Sequence, residues 1–105
     1  MVTQTEAYQS ILQEQPAEVI SHLALVLPVR LRILSQEVAL DSIGAAGLFN
    51  MYAQQLEGTH NPGEQKILLA EVADLFAAFH EMSVQANPLT LLNSIAEIQI
   101  EEKAQ

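Results

Sequence analysis

The side chains best suited to hold a metal or move a proton are three histidines, His22, His60 and His80. His80 lies in Phe-His-Glu-Met-Ser, the opening half of a zincin motif. Zinc chemistry of that kind needs a second histidine one turn on, and none follows. Glu57-Gly58-Thr59-His60 has the Glu-x-x-His spacing of carboxylate-bridged iron sites. Those sites carry the motif on a helix, repeat it and add further glutamates. Here a glycine interrupts it at a helix end. With too few ligands for a closed shell, no metal residue is expected. His60 then reads as an exposed loop residue, and His80 as a flank of an apolar stripe beside Leu69 and Ala73.

Glu71 and Asp74 are the best-placed carboxylate pair, near one another on one helix face. Acid–base work would need a pocket that shifts a pKa. They project opposite the strongest apolar stripe, so a solvated face is expected. Cysteine is absent, which removes thiolate ligands, disulfides and cysteine nucleophiles. No Gly-x-Ser-x-Gly elbow occurs. Gly-Ala-Ala-Gly at 44–47 has too few glycines, no following Lys-Ser/Thr pair and no preceding strand, so it is no phosphate loop. The expectation is a non-enzymatic chain with no catalytic residues, no cofactor and no metal.

Charge narrows the partners. Thirteen Asp and Glu stand against four Lys and Arg, a formal net charge of −9. Arg30, Arg32, Lys66 and Lys103 are scattered, whereas a phosphate backbone needs clustered cations. No direct nucleic-acid binding is expected, and an acidic surface disfavours anionic membranes. No apolar run approaches the roughly 18 residues of a membrane span. The opening Met-Val-Thr-Gln-Thr-Glu lacks the basic and apolar regions of a secretory signal, so a cytoplasmic location is expected.

The elements that must position these residues read as helices throughout. No segment alternates as a strand and no repeat is visible. Thr3 and Glu6 have capping-box spacing for a helix from about Glu6 to Glu14. A second helix is expected from Pro16 to about Leu27, with Val19, Ile20, Leu23 and Val26-Leu27 on its apolar side. Asn61-Pro62 and Asn87-Pro88 each combine a capping side chain with a proline at the first helical position. Helices therefore start at Pro62 and at Pro88. The first, to Ala86, carries a stripe of Leu68, Val72, Leu75, Phe76, Phe79, Met82 and Ala86. The last turns Leu91, Leu92, Ile95 and Ile98 inward, with Leu89, Ala96 and Ile100 as a side strip.

Leu27 to Leu56 is the ambiguous segment. One apolar stripe keeps helical phase through it: Leu27, Leu31, Leu34, Val38, Ala45, Leu48, Phe49, Tyr52 and Leu56. A second stripe lies across the helix: Val29, Ile33, Leu40, Gly44, Gly47 and Met51. Asp41-Ser42 interrupts the first, and Asp41 is a good N-cap, so a break or kink near Leu40 is favoured over one helix of about thirty residues. Helical glycine costs about 1 kcal/mol relative to alanine, and Gly44 and Gly47 would form a notch for a close neighbour. Arg30 falls near Glu37 between the stripes. Its ordinary role is a packed stem with a hydrated head, and its functional role would be an interface anchor.

The resulting expectation is an all-α single domain over 1–105, a compact bundle of about five to six helices in antiparallel or orthogonal packing, without a sheet. Half the residues are hydrophobic, and a small chain buries a smaller share of its surface than a large one. The expected function is a helical protein–protein interaction module (adaptor, assembly factor or regulatory subunit), homodimeric. Val29, Arg30, Ile33, Leu40, Gly44, Gly47 and Met51 are its expected interface. Two alternatives remain. One is an acidic inhibitor presenting Glu71, Asp74, Glu81, Glu97 and Glu101 to a basic groove. The other is a small-molecule binder with a pocket among Phe49, Tyr52, Phe76, Phe79 and Met82.

Overall fold

The computed structural model describes residues 4–79 and 87–98. They form a compact all-helical bundle of five helices with no strand: α1 (Gln4–Gln13), α2 (Ala17–Val38), α3 (Ile43–Gly58), α4 (Pro62–Phe79) and α5 (Pro88–Ala96). The Thr3 capping position and residues 80–86, including His80 and Met82, lie outside the described residues, as do Ile100 and Glu101.

The Asn-Pro reading holds at both sites. Asn61 Oδ1 accepts from the Gly63 and Glu64 amides at 2.8 and 3.2 Å. Asn87 Oδ1 accepts from the Leu89 amide at 2.8 Å, with Pro88 in the first turn of α5. Each asparagine satisfies amides that the first helical turn leaves without an intrahelical carbonyl.

The expected end at Leu27 is wrong. Helix α2 runs through Pro28 to Val38. Proline lacks the amide that would bond the Ala24 carbonyl, at a cost of about 3 kcal/mol. Ile20, Leu27 and Leu31 are fully buried on the same helix, and Pro28 is buried with them. At about 1.5–3 kcal/mol for each large apolar side chain buried, continuing the helix gains more than stopping at the proline.

The break falls at 39–42. The Ser42 amide bonds the Val38 carbonyl at 2.7 Å and the Asp41 amide bonds it at 2.9 Å, closing α2. Ser42, not Asp41, caps α3: its extended backbone lets Oγ accept from the Ala45 amide at 3.1 Å. Helices α2 and α3 then pack along each other as an antiparallel hairpin, the most extensive helix pair of the fold. The buried Ser35 hydroxyl donates to the Ala46 carbonyl at 2.9 Å and fixes their register.

Around this hairpin, α1 packs on α4, and α5 packs on α2 and α4. Leu27, Leu31, Phe49, Leu69, Leu91 and Ile95 are fully buried. Phe49 meets Phe79 edge to face with ring centroids 6.4 Å apart, the arrangement aromatic quadrupoles favour. The α4 stripe sits rotated from its expected place. Val72 and Phe76 are buried, but Leu68, Leu75 and Phe79 are only partly so, and Leu69, Ala70 and Ala73 go deepest. Helix α4 touches all four other helices, and its alanines let neighbours approach closely. Val19, expected inside, is 37% exposed.

Candidate protein-interaction surface

The hairpin has an inner face against the other helices and an outer face to solvent. At about 100° per residue, Leu23, Leu27 and Leu34 turn inward on α2, while Leu25, Val29, Arg32 and Gln36 turn outward. On α3, Phe49 and Leu56 turn inward, while Ile43, Gly47 and Gln54 turn outward. Accessibility follows this division. Among large apolar side chains, Leu40 is 90% exposed, Ile43 82%, Leu25 77% and Val29 45%. Leu40 lies in the turn between the helices, and Ile43 is the first residue of α3.

The break redistributes the second apolar stripe. Val29 and Ile33 stay on α2, Gly44, Gly47 and Met51 pass to α3, and Leu40 lies at the tip. Ile33 and Arg30 are partly buried; Val29, Leu40, Gly44, Gly47 and Met51 are exposed. The glycines do not seat a neighbouring helix of this chain. A side chain at Gly47 would meet nothing within 4 Å, and one at Gly44 would meet Ser42 Oγ at 3.8 Å. Leu25 and Ile43 belong with the exposed residues and were not anticipated. The i, i+4 step from Leu25 to Val29 was the available signal for Leu25. Ile43 becomes visible only once the helix break is fixed.

Arg32 and Glu57 cross this face. Arg32 Nη1 donates to Glu57 Oε2 at 2.7 Å and Nη2 donates to Oε1, a two-bond ion pair between α2 and α3. The hydrogen bond raises the guanidinium pKa and lowers that of the carboxyl. Both side chains are more than 40% exposed, so water screens the pair and it adds little to stability. Glu57 is thereby engaged, and His60 lies exposed in the loop beyond the end of α3. Arg30 does not turn to Glu37. Its Nη1 donates to the Val26 carbonyl at 3.3 Å, and its buried Nε has no acceptor.

Glu71 is not on a freely solvated face. Burial raises the pKa of the neighbouring Tyr52 hydroxyl first, with the Glu71 charge, hydrogen-bonding interaction with Glu71 and the Asp74 charge adding to the shift. Glu71 also lines an open cleft of about 530 Å³ with Glu64, Ile67 and Leu68 of α4 and Gln55 of α3. A smaller groove of about 420 Å³ runs between Leu25, Pro28 and Val29 on α2 and Leu56, Glu57 and His60. Neither is lined by the aromatic set Phe49, Tyr52, Phe76 and Phe79. Among the described residues, no three histidine or carboxylate side chains gather closely enough to hold a metal ion. No helix among them is long and apolar enough to cross a membrane.

Compared with known proteins, the chain matches no protein-family model, no curated protein and no solved structure.

Proposed function

We propose that the chain is a non-catalytic helical interaction module that docks through the outer face and tip of the α2–α3 hairpin, with a second copy of itself as first partner. An adaptor, assembly factor or regulatory subunit would work in this way, in the cytoplasm and without nucleic acid or membrane. The observation that carries the reading is the exposure of Leu25, Leu40 and Ile43, at 77%, 90% and 82%. Covering one such side chain fully is worth about 1.5–3 kcal/mol. Leu40 and Ile43 stand near one another at the tip, and contiguous exposed apolar patches mark interaction sites where single exposed side chains do not. Absolute mass by light scattering across a concentration series tests the self-association. A dimer supports it, and a monomer at every concentration removes the second copy as partner.

The acidic-inhibitor reading has one observation in its favour, the two carboxylates of Glu64 and Glu71 opening into one cleft. A basic partner side chain would suit them. Binding of such a partner that does not weaken with salt would count against this reading.

A further inference from the structure

We infer that the cleft between the C-terminal end of α3 and the first half of α4 is a groove for a basic amphipathic helix of another protein, with two cations seven residues apart and leucine-like side chains between them. The inference rests on the acidic reading above and reverses its geometry, since this chain supplies the groove. It is independent of docking at the hairpin. Three observations carry it.

The first is the lining. The cleft holds about 530 Å³ between α3 and α4. Glu64, Ile67, Leu68 and Glu71 follow one another at helical spacing along α4, so they form one stripe. The two carboxylates stand about 10.5 Å apart along the helix at 1.5 Å per residue, with the apolar pair between them. Ile67 is 46% exposed. A helix laid alongside has the same rise, so its complement is an apolar ridge flanked by cations at the same separation. The cleft is open, which suits a helix better than a small molecule, whose pockets enclose most of its surface.

The second is unbalanced charge. Glu71 is partly buried, and Tyr52 is its hydrogen-bonding neighbour. Among the described residues neither Glu71 nor Glu64 is paired with a cation. Arg32 is held by Glu57. Lys66 projects about 160° round α4 from the middle of the stripe, on the side of Gln9 and Gln13 of α1. The Tyr52 pKa, raised by burial, by the charge and hydrogen bonding of Glu71 and by the Asp74 charge, reports the same negative field.

The third is the end of α3. Gln55, Gly58 and Thr59 form the other wall of the cleft. The last carbonyls of a helix lack intrahelical donors and carry the negative end of its dipole. Helix α3 has no basic residue in its last turn, so both walls favour a cation. A side chain at Gly58 would meet nothing within 4 Å, and a partner can come close there. This chain does not supply that partner, because no two of its four cations, Arg30, Arg32, Lys66 and Lys103, stand seven residues apart.

The probe is an alanine-based helical peptide with two arginines seven residues apart and two leucines between them, titrated against the unsubstituted chain by fluorescence anisotropy. Saturable binding that weakens with added salt is expected. Glu64→Gln combined with Glu71→Gln should weaken it about tenfold. Glu37→Gln combined with Asp41→Asn removes two charges at the hairpin tip and should change it less than about twofold, because salt screens charges that far away. Ile67→Ala should weaken binding at high salt as well, since its contact is apolar. A peptide with one arginine moved by two residues, off the shared face, should not bind. Circular dichroism checks that each variant is folded. Equal weakening by the cleft and tip pairs would overturn the placement in the cleft and leave the acidic reading standing. No saturable binding would overturn the inference, and binding indifferent to salt would overturn it together with the acidic reading. Spermidine competing at the affinity of the peptide would make the cleft a polyamine site and overturn the helical partner.

Discussion

On the inner face of the α2–α3 hairpin Leu27, Leu31 and Phe49 are fully buried. On the outer face of the same helices Leu25, Val29 and Ile43 are 77%, 45% and 82% exposed. Side-chain type does not separate the two groups. Inner residues stabilise the fold because the other helices cover them, and outer ones are left with their burial energy unused. The hairpin therefore divides its apolar residues between a face that folding covers and a face left to solvent, and substitutions on the two faces should differ in their cost to stability.

The largest effect belongs to the inner face. Phe49→Ala should lower unfolding stability by about 3–5 kcal/mol in urea titration, since the ring is fully buried against Phe79. Leu25→Ala on the outer face should change the stability of the isolated chain by less than about 0.5 kcal/mol. Equal losses at the two positions would erase the distinction between the faces.

The turn that creates the two faces comes next. Ser42→Ala should cost about 1 kcal/mol, because Oγ satisfies the Ala45 amide. Asp41→Ala should cost much less. The reverse order would put the cap at Asp41. Gly47→Ala should instead raise the thermal stability of the chain at low concentration, by about 0.8 kcal/mol from helix propensity. The open space around Gly47 leaves nothing to clash. A loss there would reveal a contact inside the protomer.

The smallest effects follow pH. The Tyr52 pKa is raised above its ordinary value of 10.0 by burial and by Glu71. A raised value stabilises the fold below that pH, and the contribution disappears as pH climbs through the folded value. Tyr52→Phe should therefore flatten the alkaline end of a stability–pH curve. Glu57 is lowered from 4.5 by its hydrogen bond to Arg32. Its contribution is present above that pH and is lost as pH falls through the lowered value. Glu57→Gln should flatten the acid end slightly.

Much of this architecture was legible in the sequence because local chemistry fixed it. Asn61-Pro62 and Asn87-Pro88 each carry their own cap and first-turn proline, so two helix starts needed no tertiary information. Polar Asp41-Ser42 marked the hairpin turn, although only the backbone geometry selects Ser42 as the cap. Pro28 misled because its local cost is smaller than the burial gained around it, a sum that depends on neighbours distant in sequence. The rotation of α4 had the same origin, since a helix with neighbours on several sides need not keep one stripe. Projecting the second stripe along a continuous helix joined residues that the turn divides between two helices. It also passed over Leu25 and Ile43, and the Tyr52–Glu71 contact was invisible without the α3–α4 packing.

The most direct measurement is the mass of Ile43→Glu beside the unsubstituted protein, by light scattering on matched concentrations with circular dichroism on both. Ile43 is exposed at the first position of α3, where a negative charge suits the helix dipole, so helicity should be unchanged. If the hairpin tip docks a second copy, the unsubstituted chain is a dimer and the variant a monomer, a loss of at least about thirtyfold in affinity for a hot-spot side chain. A variant that keeps the dimeric mass, fully helical, would contradict the assignment of the hairpin tip to the interface.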